Sequence, residues 1–383
     1  MSSFNLPLRF KLLILLSKIF KKNTKPFQLN SASNIRDDET IDSIQLVEFF
    51  RQHNLDYNDL EIKQYQSGFS NLTYLISTST NNFILRKPPL GAKALKGGHD
   101  MEREFQILSK LYPHFPKVPK PYLFSKDESI IGSPFYLMEK KEGYIIRPNI
   151  DPKQAPSKEK MEKICQSFVD HFAQLHNLNI YDLKLDSLGK IKGYNQRQIE
   201  GWIGRFNHSK ISELPSINFI AQWLLENIPQ ESKASIIHND YKFDNVVLDS
   251  NDITSINAIL DWEMATVGDP LMDLGTSLGY WIDQNDPQEL HFFQLSSTAL
   301  DGCFSREELL HQYSLKTGQD IANPVFYYTY GLFKIATIVQ QIYFRYSKGF
   351  TKDRRFASLN IIVELLASIA KQSIQKNRIS NLF

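Results

Sequence analysis

Residues 235–273 read SIIHNDYKFDNVVLDSNDITSINAILDWEMATVGDPLMD. Two apolar runs, Ile236-Ile237 and Val246-Val247-Leu248, bracket a polar turn, and a third, Ile256 to Leu260, ends on Asp261. Short apolar runs between polar turns predict short strands. Here they would deliver carboxylates and an amide to one edge. The turn carries His238, Asn239 and Asp240, then four residues, then Asn245. Phosphoryl transfer asks for this grouping: one carboxylate to orient an attacking hydroxyl, an amide and a second carboxylate to hold metal against the phosphates. The competing reading makes Asp240 and Asn245 turn formers and Asp261 a strand cap. It requires three polar positions and their strands to coincide by chance.

Protein kinases place a catalytic loop of H-R-D-x-x-x-x-N before a metal-holding Asp, and Asp240, Asn245 and Asp261 keep that order. Through HNDYKFDN (238–245) and ILDWEMATVGDPLMDL (259–274) the sequence resembles the aminoglycoside phosphotransferase family, in the branch found fused to or alongside acyl-CoA dehydrogenases. The resemblance runs from about Tyr65 to Ala370. It implies an α+β, bilobal protein-kinase-like fold with a small antiparallel-sheet N-lobe and a larger, mainly helical C-lobe. It also implies ATP and Mg²⁺ as cofactors and a small-molecule hydroxyl as acceptor. The expected division is an N-terminal extension and linker (1–40), the N-lobe (41–141) and the C-lobe (142–383).

Carried onto this chain, the family pattern makes Asp240 the base that orients the acceptor hydroxyl, and Asn245 and Asp261 the Mg²⁺ ligands. Lys242 would reach the γ-phosphate and His238 would brace the loop. In the N-lobe the hairpin around Ser67, Gly68, Ser70 and Asn71 would cover the nucleotide phosphates. Phe83 to Arg86 reads as a strand at the place of the phosphate-binding lysine. Strand alternation sends Arg86 to the site and Lys87 to the opposite face, so Arg86 is named first and Lys87 second. An Arg there departs from the family's lysine, although either cation neutralises phosphate. Glu104, on a helix marked by Met101, Phe105 and Leu108, takes the place of the glutamate that pairs with this cation. Ser133 to Gly143 resembles the inter-lobe connector, whose backbone would meet the adenine edge around Glu139 to Lys141. Arg197, Trp202 and Arg205 recur at helical spacing in the region where the family builds its acceptor pocket.

Composition sets the outer bounds. With 42% hydrophobic and 22% charged residues, the 383-residue chain is ordinary globular material. A net charge of +2 offers no overall attraction to nucleic acid. Residues 1–36 nevertheless hold seven Lys/Arg and no acid. Leu8 to Lys22 sets an apolar face against Lys11, Lys18 and Lys22, open to three readings: an interfacial membrane helix, an import presequence or a packed helix. Two cysteines, Cys165 and Cys303, provide neither a disulfide framework nor metal spacing and fit a reducing, cytoplasmic setting. Asn23 to Glu39 reads as a polar linker. Lys158 to Leu178 reads as an amphipathic helix in which His176 caps or packs. Asp273 is expected to anchor a loop or helix start, and Val325 to Phe344, with Lys334 its only charge, to be a buried scaffold helix.

The leading reading is thus a small-molecule O-phosphotransferase. Arg197 and Arg205 favour an anionic acceptor of hydroxy-acid or acyl type over a polycationic aminoglycoside. A nucleotide-binding pseudokinase scaffold at a membrane surface is the alternative from another class, and an aminoglycoside-type antibiotic kinase is a further one. No G-x-x-x-x-G-K-[ST] and no G-x-G-x-x-G is present, which removes P-loop and dinucleotide-binding folds.

Overall fold

The computed structural model describes residue 27 and residues 31–65, 71–89, 99–148, 150–293, 295–351 and 353–383. The amphipathic segment Leu8 to Lys22 and the hairpin positions Ser67, Gly68 and Ser70 lie outside the described residues.

Five strands, β1 (Glu61–Tyr65), β2 (Leu72–Ser77), β3 (Asn82–Lys87), β4 (Pro121–Ser125) and β5 (Phe135–Glu139), form an antiparallel sheet in the order β1-β2-β3-β5-β4. Helix α1 (Ser43–Gln52) covers one face. Its Leu46, Phe49 and Phe50 pack with Phe83, Leu85 and Leu137. Helix α2 (Met101–Leu111) lies on the other face and shares a core with Ile84, Tyr136 and Met138. The two-residue period of β3 therefore decides which side chains see which face. Odd-numbered Phe83 and Leu85 turn to α1, and even-numbered Ile84 turns to α2. Arg86 follows Ile84. Lys87 follows Leu85, and its Nζ donates to the Ile131 carbonyl, 2.9 Å away, at the end of the short helix α3 (Glu128–Ile131).

The stretch expected to be a linker is not loose over its described part. Ser33 exchanges two backbone hydrogen bonds with Gln64 of β1, both 2.8 Å. The Gln64 side chain accepts from the Arg36 backbone and donates to Glu39, and the Tyr74 hydroxyl donates to the Glu39 carbonyl, 2.7 Å. An edge strand left bare would present unpaired backbone groups, and residues 33–39 cover that edge. Polar composition alone conceals such pairing.

After β5 the chain passes Gly143, where a Cβ would lie 1.9 Å from the Leu248 carbonyl. The remaining elements are mainly helical: α4 (Lys158–His176), α5 (Tyr194–Ser209), α6 (Pro215–Glu226), α7 (Pro270–Tyr280), α8 (Gln288–Phe293), α9 (Arg306–Thr317), α10 (Pro324–Ser347) and α11 (Leu359–Lys376). Two small antiparallel ladders interrupt them. One pairs β6 (Ser235–Ile237) with β9 (Thr266–Gly268), the other β7 (Val246–Leu248) with β8 (Ile256–Ile259). The fold is α+β, a small antiparallel sheet followed by a larger helical part, as the resemblance implied.

Helices α7 and α10 cross with no side chain between them. A Cβ on Gly331 would sit 1.9 Å from the Gly275 carbonyl, and one on Gly275 2.2 Å from that of Tyr327. Only glycine permits this approach. It brings Lys334 of α10 and Asp273 of α7 under the loop between β6 and β7.

Candidate active site

That loop is held by its backbone. Asp273 is fully buried, and its two carboxylate oxygens accept the amides of His238 (2.6 Å) and Asn239 (2.8 Å). His176 reaches the same carboxylate through Nε2 (3.2 Å) and the Tyr313 hydroxyl through Nδ1 (2.6 Å). Burial opposes ionisation of Asp273, but the hydrogen bond from His176 and the nearby Lys334 ammonium prevail and lower its pKa. His238 accepts the Asp240 amide on Nδ1 (3.2 Å), and its Nε2 faces the Leu260 carbonyl at 2.9 Å, so Nε2 carries the proton. Burial pulls its pKa down, keeping the ring neutral with both nitrogens engaged. His238 therefore braces the turn and has no free nitrogen for proton transfer.

Asp240 follows Asn239, whose φ of 67° is left-handed. One Asp240 oxygen receives Lys242 Nζ at 3.0 Å and the other Asn245 Nδ2 at 2.8 Å. Lys242 also lies 4.4 Å from the centroid of the Tyr280 ring. Burial lowers the Lys242 pKa, yet the neighbouring Asp240 carboxylate outweighs it and the net shift is upward, so the ammonium stays charged.

Asp261, at the end of β8, is also left-handed (φ 68°) and points Oδ1 at Arg86, 2.9 Å. The Arg86 guanidinium is 6% exposed and bridges three carboxylates: Glu104 of α2 at 3.1 Å, Asp261 at 2.9 Å and Glu263 at 3.4 Å. For Glu104 burial outweighs Arg86 and raises the pKa. For Asp261 Arg86 wins and the pKa falls. Asn71 donates to Glu263 (2.7 Å) and faces His99 Nδ1 (2.8 Å), which ties the end of the hairpin to the same cluster.

The residues read from the sequence separate into three groups. Asp240, Lys242, His238, Asn245 and Asp261 share the loop region, and Arg86, Glu104 and Asn71 close on Asp261 and Glu263 from the sheet. Glu139 and Lys141 pair with each other (2.9 Å) at the connector. The third group does not hold together. Arg197 curls back to the carbonyls of Lys190 and Lys192 before its own helix. Trp202 is buried, with the Arg205 guanidinium over its ring at 4.5 Å. Equal helical spacing put Arg197 in the set, but its donors are taken by the preceding turn. The sequence reading missed Glu263, Tyr280 and the contact of Lys334 with the loop. Glu263, two residues after Asp261, carried a local signal as a further acid in the same run. The other two come from distant helices and left no sequence signal.

Asn245 and Asp261 suit a small hard cation. The Asn245 amide nitrogen is committed to the backbone and side chain of Asp240, leaving its Oδ1 to act as a ligand. Mg²⁺ is commonly bound by one or two protein oxygens, with waters and substrate phosphates completing the octahedron. On the sheet side, Arg86 Nε has no hydrogen-bond partner among the described residues although it is buried, which leaves a donor for a phosphate oxygen.

A model of the APH phosphotransferase enzyme family matches residues 61–303. This chain belongs to that family. The chain is 33% identical over 334 residues to human acyl-CoA dehydrogenase family member 11, covering 85% of this chain and 42% of that protein. Mouse acyl-CoA dehydrogenase family member 10 is 31% identical over 313 residues, covering 81% of this chain and 29% of that protein. The chain thus spans less than half the length of these curated relatives. Among solved structures, an aminoglycoside phosphotransferase candidate from Ralstonia eutropha JMP134 is 27% identical with a TM-score of 0.74, covering 88% of this chain and 99% of that one. Choline kinase from Cryptosporidium parvum shares the fold at 14% identity and a TM-score of 0.55, covering 89% and 98%.

Proposed function

We propose that this protein is a phosphotransferase that moves the γ-phosphate of ATP to the hydroxyl of a small acceptor, of hydroxy-acid or acyl type. The observation that carries the reading is Asp240, held between Lys242 and Asn245, with the Asn245 carbonyl in turn accepting the amide of Leu260, the residue before Asp261. Asp240 would orient the acceptor hydroxyl and receive its proton, with the nucleophile brought into line by the fixed loop. Lys242, kept charged by Asp240, would meet the γ-phosphate oxygens. Arg86, aligned by Glu104, would offer its spare Nε to the nucleotide phosphates. Asn245 and Asp261 would hold Mg²⁺, which when bound neutralises charge on the phosphate oxygens. The connector after β5 would meet the adenine edge.

The acyl and hydroxy-acid preference rests on the relatives, which are named acyl-CoA dehydrogenase family members, and on Arg205 over Trp202 near the loop. The test is a metabolite-extract screen with γ-labelled ATP, comparing wild type with Asp240→Ala. Labelled products formed by wild type and absent with Asp240→Ala are expected. Equal labelling by both proteins would remove Asp240 from the chemistry.

A further inference from the structure

Lys334 is the only charged residue between Val325 and Phe344, and its side chain is 1% exposed. Its ammonium has three acceptors: the Asn239 carbonyl at 2.8 Å, Asn239 Oδ1 at 3.2 Å and Thr276 Oγ1 at 3.3 Å. None is a carboxylate. A buried ammonium without a direct counterion is costly, so a contact of this kind calls for a cause beyond packing.

The cause lies in what Lys334 grips. Asn239 holds a left-handed backbone, which residues other than glycine seldom adopt, and it immediately precedes Asp240. Every polar atom of Asn239 is engaged. Its N–H goes to Asp273, its carbonyl and Oδ1 to Lys334, and its Nδ2 to the Met264 carbonyl (3.2 Å) and the Tyr194 hydroxyl (3.4 Å). Asp273 pulls on the residue from α7, and Lys334 holds its far end from α10. The glycine crossing of those two helices sets the distance between the two grips.

We propose that Lys334 is a positioning residue: it fastens Asn239 in the left-handed turn and through it aims Asp240 at the acceptor hydroxyl. This rests on the phosphotransfer assigned above to Asp240, and it assigns to α10 a part in that step. Lys334 itself touches neither nucleotide nor acceptor.

The grip depends on charge. Lys334 faces Asp273 and Thr276 on α7, Asp240 and Lys242 on the loop, Arg205, Tyr194 and the Trp202 ring (5.7 Å) on α5, and Tyr330 on its own helix. Burial brings its pKa down to about 8, against the pull of Asp273 and Asp240 and with help from Lys242 and Arg205. Above that pH the amine loses a proton and its hold on the carbonyl weakens, so turnover falls on the alkaline side while nucleotide binding, at Arg86 on the sheet, does not.

The experiment compares wild type, Lys334→Met and Thr276→Val. Transfer from γ-labelled ATP into a metabolite extract is followed from pH 6.5 to 9.5, with ATP affinity measured separately by calorimetry. Hydrogen exchange is read on a peptide spanning 236–245. For Lys334→Met the expected result is a kcat loss of about tenfold or more, no alkaline limb, ATP affinity within about twofold of wild type, and faster exchange in the loop peptide. Thr276→Val, which removes one acceptor, keeps activity at pH 7 and moves the alkaline limb about half a unit toward acid. Lys334→Met with full kcat, with equal losses in ATP affinity and kcat, or with unchanged loop exchange overturns the proposal. Wild type that transfers no phosphate at all refutes the phosphotransfer reading instead, and the exchange comparison then decides the role of Lys334 by itself.

Discussion

Removing the Arg86 guanidinium leaves Glu104, itself 2% exposed, with no counterion among the described residues. Breaking a buried pair in this way costs about 3–5 kcal/mol. Asp261, about a third exposed, and Glu263 lose the same partner but keep some access to water. The cost has a pH signature. Burial already raises the Glu104 pKa above its ordinary 4.5, and without Arg86 it rises further. A carboxyl raised in the folded state takes up a proton on folding, so its penalty is absent below pH 4.5 and grows as pH climbs toward the folded value. Urea unfolding of Arg86→Met is therefore expected to show a small deficit at pH 5 and a large one at pH 8. With a slope of about 3 kcal/mol per molar, the pH 8 midpoint falls by about 1–1.7 M. Arg86→Lys keeps the charge but cannot fork to Glu104 and Asp261 together, and its deficit is about 1–2 kcal/mol. A pH 8 midpoint equal to wild type, or a deficit that ignores pH, would refute the reasoning.

Asp261→Ala is expected to abolish Mg²⁺-dependent turnover while the circular dichroism melt stays close to wild type; full turnover at ordinary Mg²⁺ would remove Asp261 from the site. Lys87→Ala should lower stability by about 1–2 kcal/mol through the lost bond to the Ile131 carbonyl, with KM for ATP unchanged; a raised KM at constant stability would mean that Lys87 meets phosphate after all. Lys334, with a pKa lowered to about 8 from 10.5, carries a burial penalty fully present below pH 8 and relieved between pH 8 and 10.5, so wild type gains about 3 kcal/mol relative to Lys334→Met over that window. Equal pH dependence of the two melts would contradict the lowered pKa. Deleting residues 1–22 should reduce binding to anionic liposomes through the loss of a basic amphipathic stretch; identical binding by both proteins would end the interfacial reading.

The strand period was enough to separate Arg86 from Lys87, because a two-residue repeat is a local property and β2 and β5 on either side leave β3 no freedom of register. The order of Asp240, Asn245 and Asp261 was legible for a similar reason, since all three sit within one pair of short ladders. Partners far along the chain were not. Lys334 and Asn239 are 95 residues apart, and nothing in the sequence announces that the end of α3 supplies the partner of Lys87. His176 was read as capping or packing and is buried, but its link to Asp273 depends on two helices meeting. Arg197 and Arg205 looked equivalent by spacing, and the turn before α5 took one of them away. Residues 33–39 were polar enough to read as linker, while their order comes from the backbone, to which composition is blind.

The crossing of α7 and α10 leaves no rotamers between Gly275 and Gly331, only peptide groups in contact. Such a joint has almost nothing to compress and nothing to re-pack, so hydrostatic pressure and moderate heating should hardly alter the spacing beneath Asp240. The sheet side meets the same loop through polar contacts, the buried Arg86 among three carboxylates and Asn71 on Glu263, whose strength depends on each charge being present. The two sides of the cleft are therefore governed by separate variables. Removing one of those charges should relax the approach of the sheet to Asp261 and leave the seating of Asp240 as it was.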